Sequence, residues 1–199
     1  MLQTLEDNEL LNFNFIKNIK VLNSVPKRNK TFTLEVENSI FTYLEKEDPI
    51  LLLYIKFVAY NFLRPIEVSR LRIGDFNLKN KTITFQSKNS NLKKKTIPQI
   101  LLDELPDLSE MNPDHLLFTP TKIGGTWTTT ETNRRNYFSK RFKAKVKQHF
   151  NLNEDYGLYS FRHTYITKLY RKLLKDTSPF AAKSNLMLIT GHKSMSALE

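Results

Sequence analysis

The sequence predicts a mainly α-helical domain that carries one small antiparallel β-sheet, an α+β fold. Apolar residues recur every three or four positions behind residues that typically begin helices, which predicts amphipathic helices over most of the chain. One five-residue segment instead alternates with period two, as a half-buried strand does. The composition, 40% hydrophobic and 26% charged, is that of a globular protein, and the absence of cysteine excludes disulfides and thiolate metal sites.

The first half of the chain contains two helix-start signals. Residues 1–30 are predicted to form the end of a preceding helical domain, followed by a polar linker. Thr33 then precedes apolar residues that recur every four positions, so it is predicted to cap a helix. Asp48 comes directly before a proline and repeats the signal. The helix that follows, residues 49–62, is apolar nearly all round, which predicts that it is buried.

A β-hairpin is predicted in the middle of the chain. Thr82–Gln86 alternates in polarity, and Lys95–Pro98 can return beside it across a polar, basic connection. Short helices are predicted on either side of the hairpin, from Pro65 through Leu71 and over Ile100–Leu105. A short apolar run follows at Leu116–Phe118.

The last third is predicted to be helical. Asn133–Phe150 is expected to form a long basic helix with one aromatic and aliphatic stripe. Ser160–Leu174 has apolar residues at strict four-residue spacing and is predicted to be another helix. Ser178 followed by Pro179 begins a last helix, which Gly191 ends.

The charge indicates a polyanionic partner. The net charge is +11, and it is concentrated in residues 50–100, with ten basic and two acidic side chains, and in residues 134–175, with twelve and two. An acidic stretch separates these blocks, which favours a folded basic surface over a basic tail. The N-terminus lacks the features of a secretory signal, and no apolar run is long enough to span a membrane. An intracellular, cytoplasmic chain is therefore expected.

Five side chains stand where they could act on a phosphate. Arg64 lies at the break between two predicted helices, and Lys88 lies on the hairpin connection. Arg162 and His163 lie near the start of a helix, where phosphates bind, and His192 follows a helix end. Each of them taken alone is also typical of a solvated surface charge or, for His192, of a capping group.

In order and spacing these residues resemble the catalytic domain of the tyrosine recombinases, the phage integrase family, over residues 31–199. The family's first arginine block, L-R-x-x-E followed by leucine and aspartate, is matched by Leu63, Arg64, Glu67, Leu71 and Asp75. Lys88 follows Arg64 by 24 residues, close to the family's spacing to its hairpin lysine. The H-x-x-R-H block is matched by Tyr159, Arg162 and His163, with tyrosine where histidine is usual. The L-G-H block is matched by Thr190, Gly191 and His192, with threonine where leucine is common.

The resemblance implies cleavage and rejoining of double-stranded DNA through a 3′-phosphotyrosyl intermediate, without a metal or nucleotide cofactor. Arg64 and Arg162 would bind the non-bridging phosphate oxygens, and Lys88 would be the general acid for the leaving 5′-oxygen. His163 and His192 would donate hydrogen bonds or shuttle protons. Tyr159 would donate a hydrogen bond, and Glu67 and Asp75 would support Arg64 and its helix. Should Lys88 not be the acid, Lys93, Lys94 or Lys95 would be the next candidates. The resemblance also implies self-association on DNA as a recombinase tetramer.

The family's nucleophilic tyrosine follows the last histidine by nine residues, which would be position 201 here. Residues 1–30 are therefore expected to be the end of a core-binding domain, and residues 31–199 a catalytic domain truncated before its nucleophile. Tyr165 and Tyr170 match no nucleophile position. One alternative is a DNA-binding module that keeps this scaffold without its chemistry, and another is a helix-turn-helix regulator.

Overall fold

The computed structural model describes residues 2–10, 29–86, 92–192 and 194–195. Its helices are α1 (Leu2–Asp7), α2 (Leu34–Glu47), α3 (Pro49–Tyr60), α4 (Pro65–Val68), α5 (Gln99–Leu102), α6 (Glu131–Phe142), α7 (Leu158–Leu173) and α8 (Pro179–Thr190). Its strands are β1 (Phe76–Asn77), β2 (Thr82–Gln86), β3 (Leu92–Thr96), β4 (Leu116–Phe118) and β5 (Ile123–Gly125). The predicted mainly α-helical fold with a small antiparallel sheet is confirmed. Most of the predicted N-terminal linker lies outside the described residues.

Three predicted helix caps are present. The Thr33 hydroxyl accepts a hydrogen bond from the Val36 amide (3.3 Å), and the Asp48 carboxylate accepts one from the Leu51 amide (3.0 Å). Ser178 caps α8 in the same way. Each cap satisfies an amide that has no partner within its own helix, and this is why the helices begin where the sequence predicts.

The hairpin is confirmed, but its second strand begins earlier than predicted. Strands β2 and β3 are antiparallel, with Ile83 opposite Lys95 and Thr84 opposite Lys94, and β1 adds a third strand that was not predicted. Strands β4 and β5 form a second, two-stranded sheet. Strand β5 was missed because it is three residues long and contains Gly124, whose φ of +72° favours glycine.

Helix α3 is the centre of the core, as its apolar sequence predicts. It packs against α2, α6 and α7, and all its residues from Leu51 to Ala59 are buried. The Tyr54 ring stacks on Phe138 of α6 with 4.2 Å between ring centroids. A buried ion pair, Asp48 with Arg141, joins the start of α3 to α6 through N–O distances of 2.5 and 2.7 Å.

The predicted helix over residues 133–150 is wrong in one respect, because α6 gives way to a π-helical segment, Lys143–Lys147. Three core residues follow one another at four-residue steps, and all three are fully buried: Phe138, Phe142 and Val146. On a regular α-helix each four-residue step turns the side chain by about 40° beyond a full circle. The wider π turn reduces this drift and keeps Val146 facing the core. Among the described residues, no helix is long and apolar enough to cross a lipid bilayer.

Candidate functional site

Arg64 lies in the extended link between α3 and α4. The link begins at Phe62, whose φ of +54° ends α3, and Pro65 begins the next helix. The buried carboxylate of Glu67 accepts hydrogen bonds from the Arg64 backbone amide (2.7 Å) and from its Nη1 (3.0 Å). Burial opposes the charge of Arg64, but Glu67 and Tyr159 outweigh it, so the pKa of Arg64 is raised. The predicted supporting role of Glu67 is confirmed.

Tyr54 of α3 is hydrogen-bonded to α4, a contact that the sequence did not reveal. Its hydroxyl donates to the Pro65 carbonyl (2.5 Å) and lies 2.9 Å from the Ser69 hydroxyl. Burial raises the pKa of Tyr54, which keeps the phenol protonated. The orientation of Arg64 therefore depends on the buried core as well as on Glu67.

Arg162 is buried at the centre of the site, with 1% of its surface exposed. Its Nε donates to the Phe62 carbonyl (2.8 Å), and its Nη2 donates to the Thr190 carbonyl (3.2 Å). Its Nη1 donates to the Tyr159 hydroxyl (2.7 Å) and lies 3.3 Å from His192 Nε2. The Thr190 carbonyl is at the C-terminal end of α8, where carbonyls lack helical partners and carry partial negative charge, and the Phe62 carbonyl lies two residues beyond the end of α3. Arg162 thereby joins the two helix ends.

The buried position of Arg162 disfavours the charged form of its guanidinium. Burial lowers its pKa, and Arg64 acts in the same direction, while Tyr159 and Glu67 partly offset both. Four of its five N–H groups are already hydrogen-bonded within the described part of the chain. Arg64, with 36% of its side chain exposed, is the more accessible guanidinium.

Tyr159 and His163 lie on the first turns of α7, on either side of Arg162 in the sequence. Their rings meet edge to face, with 4.8 Å between centroids, and the Arg162 guanidinium lies over the Tyr159 ring at 5.4 Å. Burial and the charge of Arg162 lower the pKa of His163, so its imidazole is neutral at pH 7.

His192 enters the site from the turn that ends α8. Gly191 adopts a φ of +76°, the left-handed conformation that glycine accommodates without strain, and it turns the chain back towards Arg162. Burial lowers the pKa of His192 to about 4, and the charge of Arg162 contributes next. Its Nδ1 lies 2.5 Å from the Thr190 hydroxyl oxygen.

Lys95 on β3 is part of the site, although the sequence favoured Lys88. Its Nζ donates to the carbonyls of Asn61 (3.0 Å) and Thr190 (3.5 Å), the same two helix ends that Arg162 joins. Lys93, on the same face of the strand, donates to the Gly191 carbonyl (3.5 Å). Burial lowers the pKa of Lys95 to about 8. Side chains alternate between the two faces of a strand, so a correct start for β3 would have predicted Lys93 and Lys95 on one face and Lys94 on the other.

Two further sequence predictions have a clear outcome. Asp75 does not support Arg64 directly: its carboxylate accepts a hydrogen bond from the Arg72 amide (2.8 Å) and caps the 3-10 turn Ile73–Asp75. Tyr165 is held away from the site, since its hydroxyl donates to the buried Glu37 carboxylate (2.5 Å). Lys88 lies outside the described residues.

A groove of about 360 Å³ opens beside Arg64 and Tyr159. Arg135 of α6 adds a second cation to its wall, so the groove presents positive charge next to the buried Arg162. Its lining is completed by Asn29, Pro65, Ile66, Ser139, Gly157 and Leu158.

Known structures with the same fold were found, although the sequence matches no protein-family model and none of the curated proteins matches it. A lambda integrase dimer bound to a COC′ core site superposes with a TM-score of 0.69 at 13% identity, over 98% of this chain and 55% of the integrase chain. The Tn1549 transposon integrase, in complex with a circular intermediate DNA, gives 0.67 at 14% identity, over 98% and 69%. The XerH site-specific recombinase, in a post-cleavage complex with a palindromic difH substrate, gives 0.60 at 19% identity, over 92% and 52%.

These similarities confirm the predicted catalytic-domain fold of the tyrosine recombinases. At such identities they establish the fold alone. The chain spans between about half and about two thirds of the lengths of the three chains matched.

Proposed function

We propose that this chain is the catalytic domain of a site-specific DNA recombinase, which cleaves and rejoins strands of duplex DNA through a 3′-phosphotyrosyl intermediate. The supporting observation is the convergence of Arg64, Arg162 and His192 from three distant parts of the sequence beside Tyr159. In this proposal residues 31–199 are the catalytic domain, and residues 1–30 belong to a preceding core-binding domain.

The arrangement suits stabilisation of a phosphoryl transition state by fixed positive charge. Arg64 is exposed towards the groove and is oriented by Glu67, so its guanidinium can donate two hydrogen bonds to non-bridging oxygens. Arg162 supplies its remaining N–H group and its charge from a buried position, where a charge acts more strongly than in water. Because both groups are held before substrate binds, little reorganisation is needed during the reaction.

The proton transfers are assigned to the remaining site residues. The attacking hydroxyl would belong to a tyrosine nine residues beyond His192, and its oxygen would form a bond to phosphorus as the bond to the 5′-oxygen breaks. Lys88 would protonate that leaving oxygen, and His163 would lie at the edge of the same site. Exchange between two duplexes requires several such domains on DNA, so the proposal includes self-association as a tetramer. It also includes a role in moving a mobile element, within the cytoplasm.

A second candidate function is a DNA-binding module on the same scaffold that performs no chemistry. The observation that favours it is that Arg162 directs most of its N–H groups to internal acceptors. Such a module needs the positive groove but not the pairing of Arg64 with Glu67.

The two functions differ in a covalent product. The polypeptide extended to carry a tyrosine at position 201 is incubated with a nicked suicide duplex, and denaturant-resistant protein–DNA adducts are separated by gel electrophoresis. We expect an adduct that Arg64→Met reduces at least about a hundredfold, whereas Arg171→Met, an exposed arginine in the last turn of α7, leaves it unchanged. DNA binding without any adduct would favour the binding module.

A further inference from the structure

Thr190 contacts His192 through a hydroxyl group whose single proton is already donated to another hydrogen bond. Thr190 is the last residue of α8, and its hydroxyl donates back one turn to the Leu186 carbonyl at 2.7 Å. The same oxygen lies 2.5 Å from His192 Nδ1. A carbonyl can only accept, and a hydroxyl has one proton, so the Thr190 oxygen must be the acceptor towards the ring. Nδ1 of His192 therefore carries the hydrogen.

The contact on the opposite side of the His192 ring independently indicates that Nδ1 carries the hydrogen. Nε2 lies 3.3 Å from Nη1 of Arg162, and a guanidinium has no acceptor. Nε2 must therefore offer a lone pair to Arg162, because an N–H there would face another N–H. The ring is neutral at physiological pH, since burial lowers its pKa to about 4. Two contacts on opposite sides of the ring thus require one tautomer, Nδ1–H.

Thr190 is held firmly enough to impose this choice. Its side chain is buried, with 3% of the residue exposed, and its carbonyl accepts from both Arg162 Nη2 (3.2 Å) and Lys95 Nζ (3.5 Å). A β-branched side chain has few rotamers within a helix, which further limits the hydroxyl. A leucine at this position, common in the L-G-H block that the sequence resembles, has no oxygen to offer Nδ1.

We propose that Thr190 is a positioning residue that fixes His192 as the Nδ1–H tautomer, so that its Nε2 is a hydrogen-bond acceptor in the site. The consequence for chemistry rests on the proposed function. A phosphate oxygen is also an acceptor, so His192 in this form cannot donate to it through Nε2, contrary to what the resemblance implies. It can instead accept a hydrogen bond from the hydroxyl that attacks phosphorus, once a bound phosphate has drawn Arg162 Nη1 away.

The tautomer is measured directly on the 199-residue chain, labelled with ¹⁵N, from long-range proton–nitrogen correlations of the histidine rings at pH 7. In the wild type we expect a protonated Nδ1 and an unprotonated Nε2 for His192. Thr190→Ser keeps the hydroxyl and should keep this pattern. Thr190→Val has the same shape without the oxygen, so it leaves a buried Nδ1–H without its acceptor and only the Arg162 contact to favour that form. A population of the Nε2–H tautomer that the wild type lacks should therefore appear. The matched control is Thr164→Val, which removes another buried hydroxyl bonded four residues back, to Ser160 (2.8 Å).

An Nε2–H signal in the wild type would overturn the proposal, as would a Thr190→Val spectrum identical to that of the wild type. Should Thr190→Val fail to fold, as judged by thermal melting, the wild-type and Thr190→Ser spectra decide the matter. Adding a duplex oligonucleotide to the wild type is the second arm, in which Nδ1 should remain protonated. A failure to bind the duplex would contradict the proposed function alone, because the tautomer is established in the first arm.

Discussion

Lys95 is the side chain whose protonation should respond most to DNA. Burial lowers its pKa from 10.5 to about 8, and the charge of Arg162 acts in the same direction. A phosphate bound at Arg64 would bring negative charge to this ammonium group and raise its pKa again. DNA binding should therefore take up a proton above about pH 8. The charged or titratable groups that face Lys95 are Arg162 on α7, Arg64 and Glu67 at α4, Lys93 on its own strand and His192 after α8.

The size of the effect follows from the lowered pKa of Lys95, about 8. One pH unit above the pKa, only about a tenth of the free protein carries the charge at this position. If the complex needs the ammonium charged, binding at about pH 9 is weaker by about tenfold than binding to a site with a permanent cation. The sign is fixed by the direction of the shift: affinity is nearly complete at about pH 7, is halved at about pH 8 and falls further as the pH rises.

The assay is fluorescence anisotropy of a labelled duplex at constant ionic strength, from about pH 7 to pH 9.5. Lys95→Arg keeps a cation that does not titrate in this range, so its affinity should stay level where that of the wild type falls. Lys94→Met is the matched control, because the neighbouring Lys94 is exposed on the opposite face of β3. Its curve should run parallel to that of the wild type. Parallel curves for the wild type and Lys95→Arg would refute the reasoning.

Four further predictions concern other parts of the molecule. Duplex affinity should fall about a thousandfold or more between ~50 and ~200 mM salt, because a net charge of +11 implies release of many counterions, and a flat titration would contradict DNA binding. Lys88→Ala, in the polypeptide extended through position 201, should lower cleavage by about 10² to 10⁴ with nearly unchanged affinity, and a bridging 5′-phosphorothiolate should rescue it if Lys88 is the acid. The 199-residue chain should form no adduct with a suicide duplex, because the Tyr165 hydroxyl is bound to the buried Glu37; an adduct mapped to Tyr159, whose hydroxyl lies beside Arg162, would make that residue the nucleophile. Asp48→Asn should lower the free energy of unfolding by about 3 kcal/mol in urea titrations, since it leaves Arg141 without its buried counter-charge, whereas the exposed Asp103→Asn should change little.

Local chemistry made the helices predictable. Thr33, Asp48 and Ser178 cap helices that begin where expected, since a cap and the amide it satisfies are three residues apart. The burial of α3 followed from its uniformly apolar sequence. Short strands such as β5 could not be predicted, because what defines them is a partner strand rather than their own residues.

The sequence by itself determined which residue types stand in the site, their order, and the positive charge around them. Arg64 with Glu67, and Arg162 with His163, were recognisable because each pair lies within one helical turn. Only the tertiary structure decided what those groups do there. It buries Arg162 between two helix ends, brings Lys95 to the same carbonyls, and sets the Thr190 hydroxyl against His192. These contacts join residues up to 100 positions apart. The protonation of the site side chains depends on burial and on unpaired carbonyls, and both arise only when the helices pack.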